Sequence, residues 1–211
     1  MRCDARFERE ALAQGYLRVA GVDEAGRGCL FGPVFAAAVM LSPVNPIPGL
    51  RDSKQLSAGR REELAPLIRE RALAWAVAQA SPREIDSINI LQASRLAMRR
   101  AILQLDPAPD FLLVDAVTVD LPIPQRGLIH GDALCRSIAA ASILAKVGRD
   151  ACLRQLDELY PHYGLARHKG YPTVEHIRAL ELYGPTPLHR TTFTPVRQLS
   201  LALGRETAAG A

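Results

Sequence analysis

Residues 17–22 are mostly apolar and are followed by two acidic side chains, a pattern that predicts a β-strand with carboxylates at its end. Residues 33–41 are almost continuously apolar, as is typical of a strand buried on both faces. The connection over residues 25–32 is rich in glycine, so we expect the two strands to form a hairpin. A short helix over residues 7–15 is predicted to precede them.

Helical and strand patterns alternate in the middle of the chain. A proline-rich loop at residues 42–49 leads to Ser57, which is placed to cap a helix that continues to Arg71. Residues 72–80 predict a third strand. Apolar residues at helical spacing then predict a helix over residues 89–105.

Two further acidic positions lie at the ends of predicted elements. The apolar run at residues 111–115 predicts a short buried strand that ends in Asp115. Residues 128–129 predict a brief strand, after which Asp132 opens a long predicted helix over residues 133–160. The order of all these elements predicts an α/β fold with a mixed sheet covered by helices on both faces.

The C-terminal part of the chain has only helical patterns. A helix is predicted over residues 173–183, and a final short helix is predicted to begin near Pro195. We therefore expect a core at residues 1–172 and a helical C-terminal extension at residues 173–203. The small, polar tail at residues 204–211 is expected to be disordered.

Composition narrows the class of protein only moderately. The chain has 211 residues, of which 48% are hydrophobic and 23% charged, as in an ordinary globular protein with one good-sized core. A net charge of +4 fits a polyanionic partner without requiring one. We expect a cytoplasmic protein that does not enter membranes, because no apolar run has the length of a membrane span and no secretion signal is evident.

The cysteines give no sign of a zinc site or of a disulfide framework, because their spacing shows no pairing. They are Cys3, Cys29, Cys135 and Cys152. Reduced thiols in the cytoplasm are the expectation.

The turn that follows the first strand combines acidic residues with glycines and an arginine. Glycines let another backbone approach closely, and an arginine grips phosphate oxygens in a bidentate manner. Gly26, Arg27 and Gly28 follow the acidic pair almost at once. The combination indicates metal-assisted chemistry on a phosphodiester.

Four carboxylates could converge at one edge of the predicted sheet. They are Asp23, Glu24, Asp115 and Asp132. Like charges a few Å apart repel by about 4 kcal/mol per pair at a surface-like dielectric, so such a cluster must take up protons or bind cations. Divalent metal ions, held by oxygen ligands, are the natural solution. Taken singly, Asp132 could instead be a helix N-cap and Asp115 a strand end that faces a loop.

Two metal ions about 4 Å apart can hydrolyse a phosphodiester without a nucleophilic side chain, because one activates water and the other stabilises the leaving oxygen. Neighbouring strand residues point to opposite faces. Our hypothesis is that Asp23 bridges the two ions, and that Glu24 reaches one of them because the strand ends there.

Five motifs in this order resemble those of bacterial ribonuclease HII, the type 2 ribonuclease H. They are residues 21–28, Asp52-Ser53-Lys54, residues 113–116, residues 131–150, and His168-Lys169-Gly170-Tyr171. The resemblance extends over residues 7–199. It implies a ribonuclease H-like fold with a mixed five-stranded sheet, helices on both faces and a helical C-terminal extension.

The resemblance also implies an activity. Family members are endonucleases that use Mg²⁺ or Mn²⁺ to hydrolyse the RNA strand of RNA–DNA hybrids, and they cut at single ribonucleotides embedded in duplex DNA. The products carry 5′-phosphate and 3′-hydroxyl ends. By this likeness we expect a monomer whose partners are RNA–DNA hybrids and ribonucleotide-containing duplexes.

The resemblance assigns roles to nine residues. The metal-binding catalytic carboxylates are the four named above, Asp23, Glu24, Asp115 and Asp132. The substrate-binding residues are Gly26, Arg27, Gly28, Lys54 and Tyr171. The first three match the backbone reader of the ribose 2′-hydroxyl, which distinguishes RNA from DNA, and Tyr171 packs on the sugar at the junction. Lys54 matches a lysine that contacts the substrate phosphate.

Several side chains keep two interpretations. Tyr171 alone could be a half-buried core residue and Lys54 alone a solvated one. His130 stands where many relatives have lysine, which weakens a phosphate contact there or makes it pH-dependent. His189 fits the family pattern, but its role is open. Other basic residues could follow a nucleic-acid backbone or be solvated or structural: Arg95, Arg99, Arg100, Lys146, Arg149 and Lys169.

Two other functions remain open at this point. The chain could be a non-catalytic RNA–DNA hybrid-binding module that kept the fold, although binding alone has no use for clustered acids near phosphate. It could also be a polynucleotide transferase of the same broad fold, such as an integrase, which the short chain and the Gly-Arg-Gly turn disfavour.

Overall fold

A computed structural model of the protein, which describes residues 3–199, contains a mixed five-stranded sheet. The strands are β1 (Val19–Ala25), β2 (Val34–Leu41), β3 (Ala72–Ala80), β4 (Phe111–Asp115) and β5 (Gln125–Leu128). Their order across the sheet is β3-β2-β1-β4-β5. Strand β1 pairs antiparallel with β2, which confirms the predicted hairpin, and parallel with β4, which is itself parallel to β5.

Seven helices are bounded within the described residues. They are α1 (Arg6–Ala13), α2 (Ala58–Arg71), α3 (Pro82–Leu103), α4 (Gly131–Leu134), α5 (Arg136–Leu159), α6 (Leu165–His168) and α7 (Val174–Tyr183). The predicted cap of α2 is confirmed, because the Ser57 hydroxyl accepts a hydrogen bond from the Arg60 N–H at 3.2 Å. Residues 194–199 are also helical, as predicted from the position of Pro195.

Helix α3 begins earlier than predicted. Asn89 has φ 66° and ψ 164°, which interrupts the helix, and its Oδ1 accepts from the Leu91 N–H at 3.0 Å. The predicted helix is therefore the second part of α3, with Asn89 as its cap. The first part was missed, although the sequence carries its signal. Ser81 and Glu84 form a reciprocal capping box, with Ser81 N–H donating to Glu84 Oε2 at 2.8 Å and Glu84 N–H to Ser81 Oγ at 3.3 Å.

The prediction of one long helix over residues 133–160 is wrong in one respect, because the helical conformation is interrupted at Cys135. This residue is extended, with φ −117° and ψ 128°, and separates α4 from α5. The start of α5 is capped from a distance, since the Ser137 N–H donates to the Glu8 carboxylate at 2.8 Å. Asp4 forms a backbone bridge with Cys135. These partners lie at the other end of the sequence, so no local pattern predicts the break.

The last strand was predicted a few residues too late. It comprises Gln125–Leu128 rather than residues 128–129, and its polar composition hides it from an apolar pattern. The Gln125 side chain accepts from the Val119 N–H and donates to the Val119 carbonyl, both at 2.8 Å. This pair of bonds holds the loop that enters the strand.

The chain divides into two compact units. Within the described residues, the first unit comprises residues 3–25, 35–79 and 94–148, and the second comprises residues 26–34, 80–93 and 149–199. The predicted domain boundaries at residues 172 and 203 stay a prediction, and the predicted tail at residues 204–211 lies outside the described residues. No helix within residues 3–199 is both long enough and apolar enough to cross a membrane.

The first unit is built on a very close approach of α5 to β1. A Cβ added at Gly21 would overlap the backbone of Ser137 and Ile138, so helix and strand touch there. Small side chains on α5 belong to a buried apolar cluster that includes Ala37 and Val39 of β2; they are Ala139, Ala140, Ala141 and Ala145. On the opposite face of β1, Ala20 and Val22 are also fully buried. Both faces of the central strand are therefore covered.

The second unit has its own apolar core. It contains Leu30, Phe31, Leu153, Tyr163, Leu165, Ala179, Leu180 and Val196. The Phe31 ring meets Tyr160 and His189 edge to face, with centroids 5.7 and 4.8 Å apart. This core supports the loop that links β1 to β2.

We expect Gly21→Ala to destabilise the protein by about 3 kcal/mol, because the added methyl group forces backbone against backbone. Urea unfolding followed by circular dichroism measures the change. Gly59→Ala is the matched control, because nothing lies within 4 Å of its added Cβ and alanine favours a helix by about 0.5–1 kcal/mol. Equal stability of the Gly21→Ala variant and the wild type would contradict this close packing.

Candidate active site

Two of the predicted acidic residues lie side by side at one edge of the sheet. Strands β1 and β4 are parallel, and Val22 pairs with Val114. Asp23 and Asp115 are the next residues on each strand, and neighbouring strands lie about 4.8 Å apart. The sequence therefore brings these two carboxylates together through strand register alone.

Asp132 reaches the same edge through the chain that follows β5. Leu128 of β5 pairs with Asp115, and His130 adopts a left-handed conformation that turns the chain into α4. The Gly131 N–H then donates to Asp115 Oδ1 at 2.7 Å. His130 occupies the N-cap position and Asp132 lies in the first turn, so the alternative of Asp132 as N-cap is wrong.

Asp23 is a strongly perturbed carboxyl group at this edge of the sheet. Its side chain is buried, and its Oδ1 accepts from the Glu24 N–H at 2.7 Å. Burial raises the pKa of Asp23 well above its usual value, and the nearby charges of Glu24 and Asp115 raise it further, against a hydrogen bond from Ser142. The pKa of Asp115 is also raised, first by burial and then by Asp132.

Lys54 joins this group from a short 3₁₀ turn over Ser53–Gln55. Asp52 caps the turn by accepting from the Lys54 N–H at 2.8 Å. The Lys54 ammonium lies 3.1 Å from Asp132 Oδ2, while its side chain is 80% exposed. The lysine thus lies at the carboxylates and is open to solvent, as a phosphate-binding residue would have to be.

The donor set suits a hard divalent cation, because every group offered is a carboxylate oxygen. The raised pKa of Asp23 indicates uncompensated negative charge that a cation would neutralise. Among residues 3–199, no three acidic, histidine or cysteine side chains are already grouped at metal-binding spacing. That all four carboxylates share one metal site therefore stays a prediction.

A polar groove of 660 Å³ lies in the first unit. Its lining includes Asp52 and Gln55, from the turn that carries Lys54. Three arginines line it, Arg9, Arg51 and Arg136, and so does Asp52. The guanidinium of Arg136 donates to the Ile47 carbonyl at 2.7 Å, whereas Arg9 and Arg51 are exposed. Sequence reasoning missed this groove, because its arginines come from three separate segments of the chain.

The predicted reader loop, Gly26 to Gly28, belongs to the second unit, where two buried arginines hold it and the segment that follows. Arg190 donates to the carbonyls of Gly32 at 3.0 Å and Arg27 at 2.8 Å. Arg149 donates to the carbonyls of Pro33 at 3.2 Å and Phe31 at 3.0 Å, as well as to Lys169 at 2.9 Å. These bonds settle the open interpretation of Arg149, which is structural.

The two glycines of the reader loop have different surroundings. Gly26 has φ +96°, and an added Cβ would overlap the Arg149 side chain. A side chain at position 26 is therefore excluded by the protein itself rather than by a substrate. Nothing lies within 4 Å of a Cβ added at Gly28, so the space there is open, as the proposed approach of a substrate requires.

Tyr171 also belongs to the second unit and is 43% exposed. Two consecutive left-handed residues, Lys169 and Gly170, turn the chain into it. The Gly170 carbonyl accepts from the Leu30 N–H at 2.8 Å, which ties this turn to the segment after the reader loop. Burial raises the pKa of the Tyr171 phenol, with a further contribution from Cys29. The second unit therefore contains all the predicted 2′-hydroxyl-binding residues.

Of the remaining basic residues, Arg100 has a structural contact, because it donates to the Gln79 carbonyl at 2.9 Å. Arg99 is exposed.

The chain is similar in sequence and in fold to proteins that are already known. The sequence model of the family described as Ribonuclease HII matches residues 20–196. A ribonuclease HII from Solibacter usitatus is 64% identical over 196 residues, or 93% of this chain and 86% of the relative. The crystal structure of ribonuclease H2 from Pyrococcus horikoshii OT3 has a TM-score of 0.73 at 28% identity, and the match covers 87% of this chain and 97% of that one. The chain matched in the PCNA:RNase HII complex from Archaeoglobus fulgidus has a TM-score of 0.70 at 28% identity, covering 84% and 96%.

We expect Asp23→Asn to stabilise the metal-free protein at neutral pH. The folded-state pKa of Asp23 is raised above its unfolded value, so its contribution to stability is present below about pH 4 and is lost as the pH rises through the folded-state pKa. Asparagine keeps the shape without the charge. A gain of about 1 kcal/mol would raise Tm by about 3 °C in a protein of this size.

Thermal unfolding in EDTA between pH 4 and pH 8 measures this effect. The advantage of the variant should grow with pH, and Asp120→Asn, an exposed control on the loop after β4, should show no such trend. A lower Tm for Asp23→Asn at every pH would show that the charge is not a source of instability.

Proposed function

The chain belongs to the ribonuclease HII family of endonucleolytic hydrolases, and we propose that it cuts the RNA strand of RNA–DNA hybrids and single ribonucleotides in duplex DNA by two-metal-ion catalysis. The products would carry 5′-phosphate and 3′-hydroxyl ends. Mg²⁺ or Mn²⁺ is the proposed cofactor. We further propose a monomer in the cytoplasm, where its cysteines, which are free thiols in the described residues, stay reduced.

The observation that carries this proposal is the buried Asp23 beside Asp115 at the matching ends of two parallel strands. Keeping a carboxyl group where burial and then neighbouring carboxylates raise its pKa costs stability, and a cation relieves that cost. Bound divalent ions would supply an activated water and would stabilise the leaving oxygen of the phosphodiester.

The protein's own groups orient these ligands. The Gly131 N–H fixes Asp115 at 2.7 Å, and the Glu24 N–H fixes Asp23 at the same distance. We assign Asp23 the bridging position because it is buried beside Asp115 at the ends of two paired strands. Lys54, whose ammonium is exposed beside Asp132, is available to contact a substrate phosphate.

Recognition of the ribose is proposed for the second unit. The 2′-hydroxyl is what distinguishes RNA from DNA at a given position. The open space at Gly28 supports a close approach of the substrate to the reader loop, Gly26 to Gly28. The exposed ring of Tyr171 supports packing against a sugar, with its hydroxyl as a polar end.

The polar groove lined by Arg9, Arg51 and Arg136 is proposed to hold backbone phosphates of the substrate. Its two acidic groups each turn an oxygen to a backbone N–H of their own loop. Asp4 accepts from Arg6 and Asp52 from Lys54, both at 2.8 Å. The lining carries three arginines against these two carboxylates, so a phosphate would meet a net positive charge.

The test of the function is cleavage of a duplex with one ribonucleotide and of a full RNA–DNA hybrid. The wild type should cut both only with Mg²⁺ or Mn²⁺ present. Asp23→Asn should lower the rate at least about a thousandfold, because the loss of about 4 kcal/mol of charge stabilisation costs one decade per 1.4 kcal/mol. Binding by Asp23→Asn, measured by gel shift, should persist.

Three results would count against the proposal. Near-normal turnover of Asp23→Asn would remove the bridging role. Metal-independent binding by the wild type without any cutting would favour a hybrid-binding module, and joining of strands would favour a transferase.

The groove generates a separate prediction. In the Asp23→Asn background, Arg51→Gln should weaken binding of the hybrid and reduce the slope of log K against log salt by about 0.9, the value for one lost phosphate contact. The control is Arg69→Gln, in the last turn of α2. The Arg69 guanidinium lies over the Trp75 ring, 5.4 Å from its centroid. An unchanged slope for Arg51→Gln would show that the groove does not hold phosphate.

A further inference from the structure

Two fully buried histidines in the second unit have no part in the proposed chemistry. His176 and His189 are 0% and 1% exposed, and their Nε2 atoms lie 3.2 Å apart. Two imidazole nitrogens at this distance form a hydrogen bond only if one is protonated and the other is not. Their protonation can be derived from the backbone groups around them.

The first step fixes the ring of His189. The Thr186 N–H, which can only donate, lies 2.9 Å from His189 Nδ1. That nitrogen therefore carries no proton. Since a neutral imidazole has one N–H, the proton is on Nε2.

The second step follows from the first. His189 Nε2–H donates to His176 Nε2, which must then be unprotonated. The proton of His176 is consequently on Nδ1, which lies 2.9 Å from the Tyr171 carbonyl oxygen and donates to it. One assignment satisfies every atom of a chain that begins at the Thr186 backbone and ends at the Tyr171 backbone.

We call this chain of hydrogen bonds, from Thr186 through His189 and His176 to Tyr171, the relay. Both rings are neutral at physiological pH, as the relay requires. Burial lowers the pKa of His176 to about 4 and that of His189 to about 3. His168 stacks on His176 with centroids 4.5 Å apart. Its own Nδ1 accepts from the Gly170 N–H at 3.2 Å, which puts its proton on Nε2, 2.6 Å from the Tyr163 carbonyl oxygen.

The relay ends on a residue whose backbone is fixed while its ring is exposed. The Tyr171 N–H donates to the His168 carbonyl at 3.0 Å, and the Tyr171 carbonyl also accepts from the Thr173 N–H at 2.8 Å. The residue is 43% exposed. A tyrosine that packs against a sugar must stay accessible while it keeps one orientation, and a fixed backbone contributes to that orientation.

We propose that His189 and His176 are positioning residues for substrate recognition, which hold Tyr171 in the orientation that packs against the ribose. The inference rests on the proposed role of Tyr171 and extends it to side chains that never touch the substrate. It also gives a role to His189, which sequence reasoning left open. Its signal was absent from the sequence because His189 acts through His176, thirteen residues away.

A matched pair of substitutions tests the relay. His189→Gln keeps an amide N–H that can donate to His176, whereas His189→Met has nearly the same shape and no donor. We expect His189→Met to lower kcat/KM at a single ribonucleotide about tenfold, and His189→Gln to retain most of the activity. Tyr171→Ala provides the reference background.

In the Tyr171→Ala background, the Met and Gln variants should cut equally well, because the residue they position has been removed. An undiminished effect of His189→Met in that background would mean a general structural role and would overturn the proposal. Normal cleavage at a single ribonucleotide by Tyr171→Ala alone would overturn the proposed recognition by Tyr171, and the positioning role with it.

A measurement on the wild type tests the relay without any variant that has to fold. Nitrogen-15 NMR of histidine-labelled protein at pH 7 should show His176 protonated on Nδ1, with His189 and His168 protonated on Nε2. A proton on Nε2 of His176 would overturn the relay even where the proposed ribonuclease activity is present.

Discussion

The candidate active site in the first unit depends on negative charge that is buried at the ends of two parallel strands. Register alone puts Asp23 next to Asp115, and the close contact of α5 at Gly21 covers that end of β1. Hydrogen bonds compensate for this charge only in part, because the pKa values of both carboxyl groups stay raised despite them. Such an arrangement lowers stability. It is expected of a site whose missing partner is a cation.

Most of the sheet could be predicted from the sequence, because β1 to β4 each carry an apolar pattern, and β1 and β4 also carry acidic residues at their ends. The polar composition of β5 explains why that strand was predicted too late. The break at Cys135 could not be predicted, because the groups that cap α5 come from Glu8 and Asp4. The missed first turn of α3 is a different case, since its capping box is local and visible at Ser81. Local signals predicted the elements, and long-range hydrogen bonds decided where they end.

The same distinction between local signals and long-range contacts applies to the candidate site. The acids, Lys54 and the reader loop are visible as short motifs. The reason for a glycine at position 26 is not visible in the sequence. A larger residue there would overlap the side chain of Arg149, which is more than a hundred residues away along the chain. A sequence shows that a glycine is present, but only the packing shows whether substrate or protein excludes a side chain there. At Gly26 the protein excludes it, and at Gly28 the space is open.

The two buried arginines also affect how a polyanion meets the reader loop. Arg149 and Arg190 bind four carbonyls of the segment from Arg27 to Pro33, groups that have no ladder partner in such a connection. Burying a guanidinium is costly, and these hydrogen bonds offset the cost. They also turn the negative ends of the peptide dipoles inward. Of these carbonyls, that of Arg27 belongs to the reader loop, and binding it reduces the negative potential that the loop would present in the proposed approach of an RNA strand.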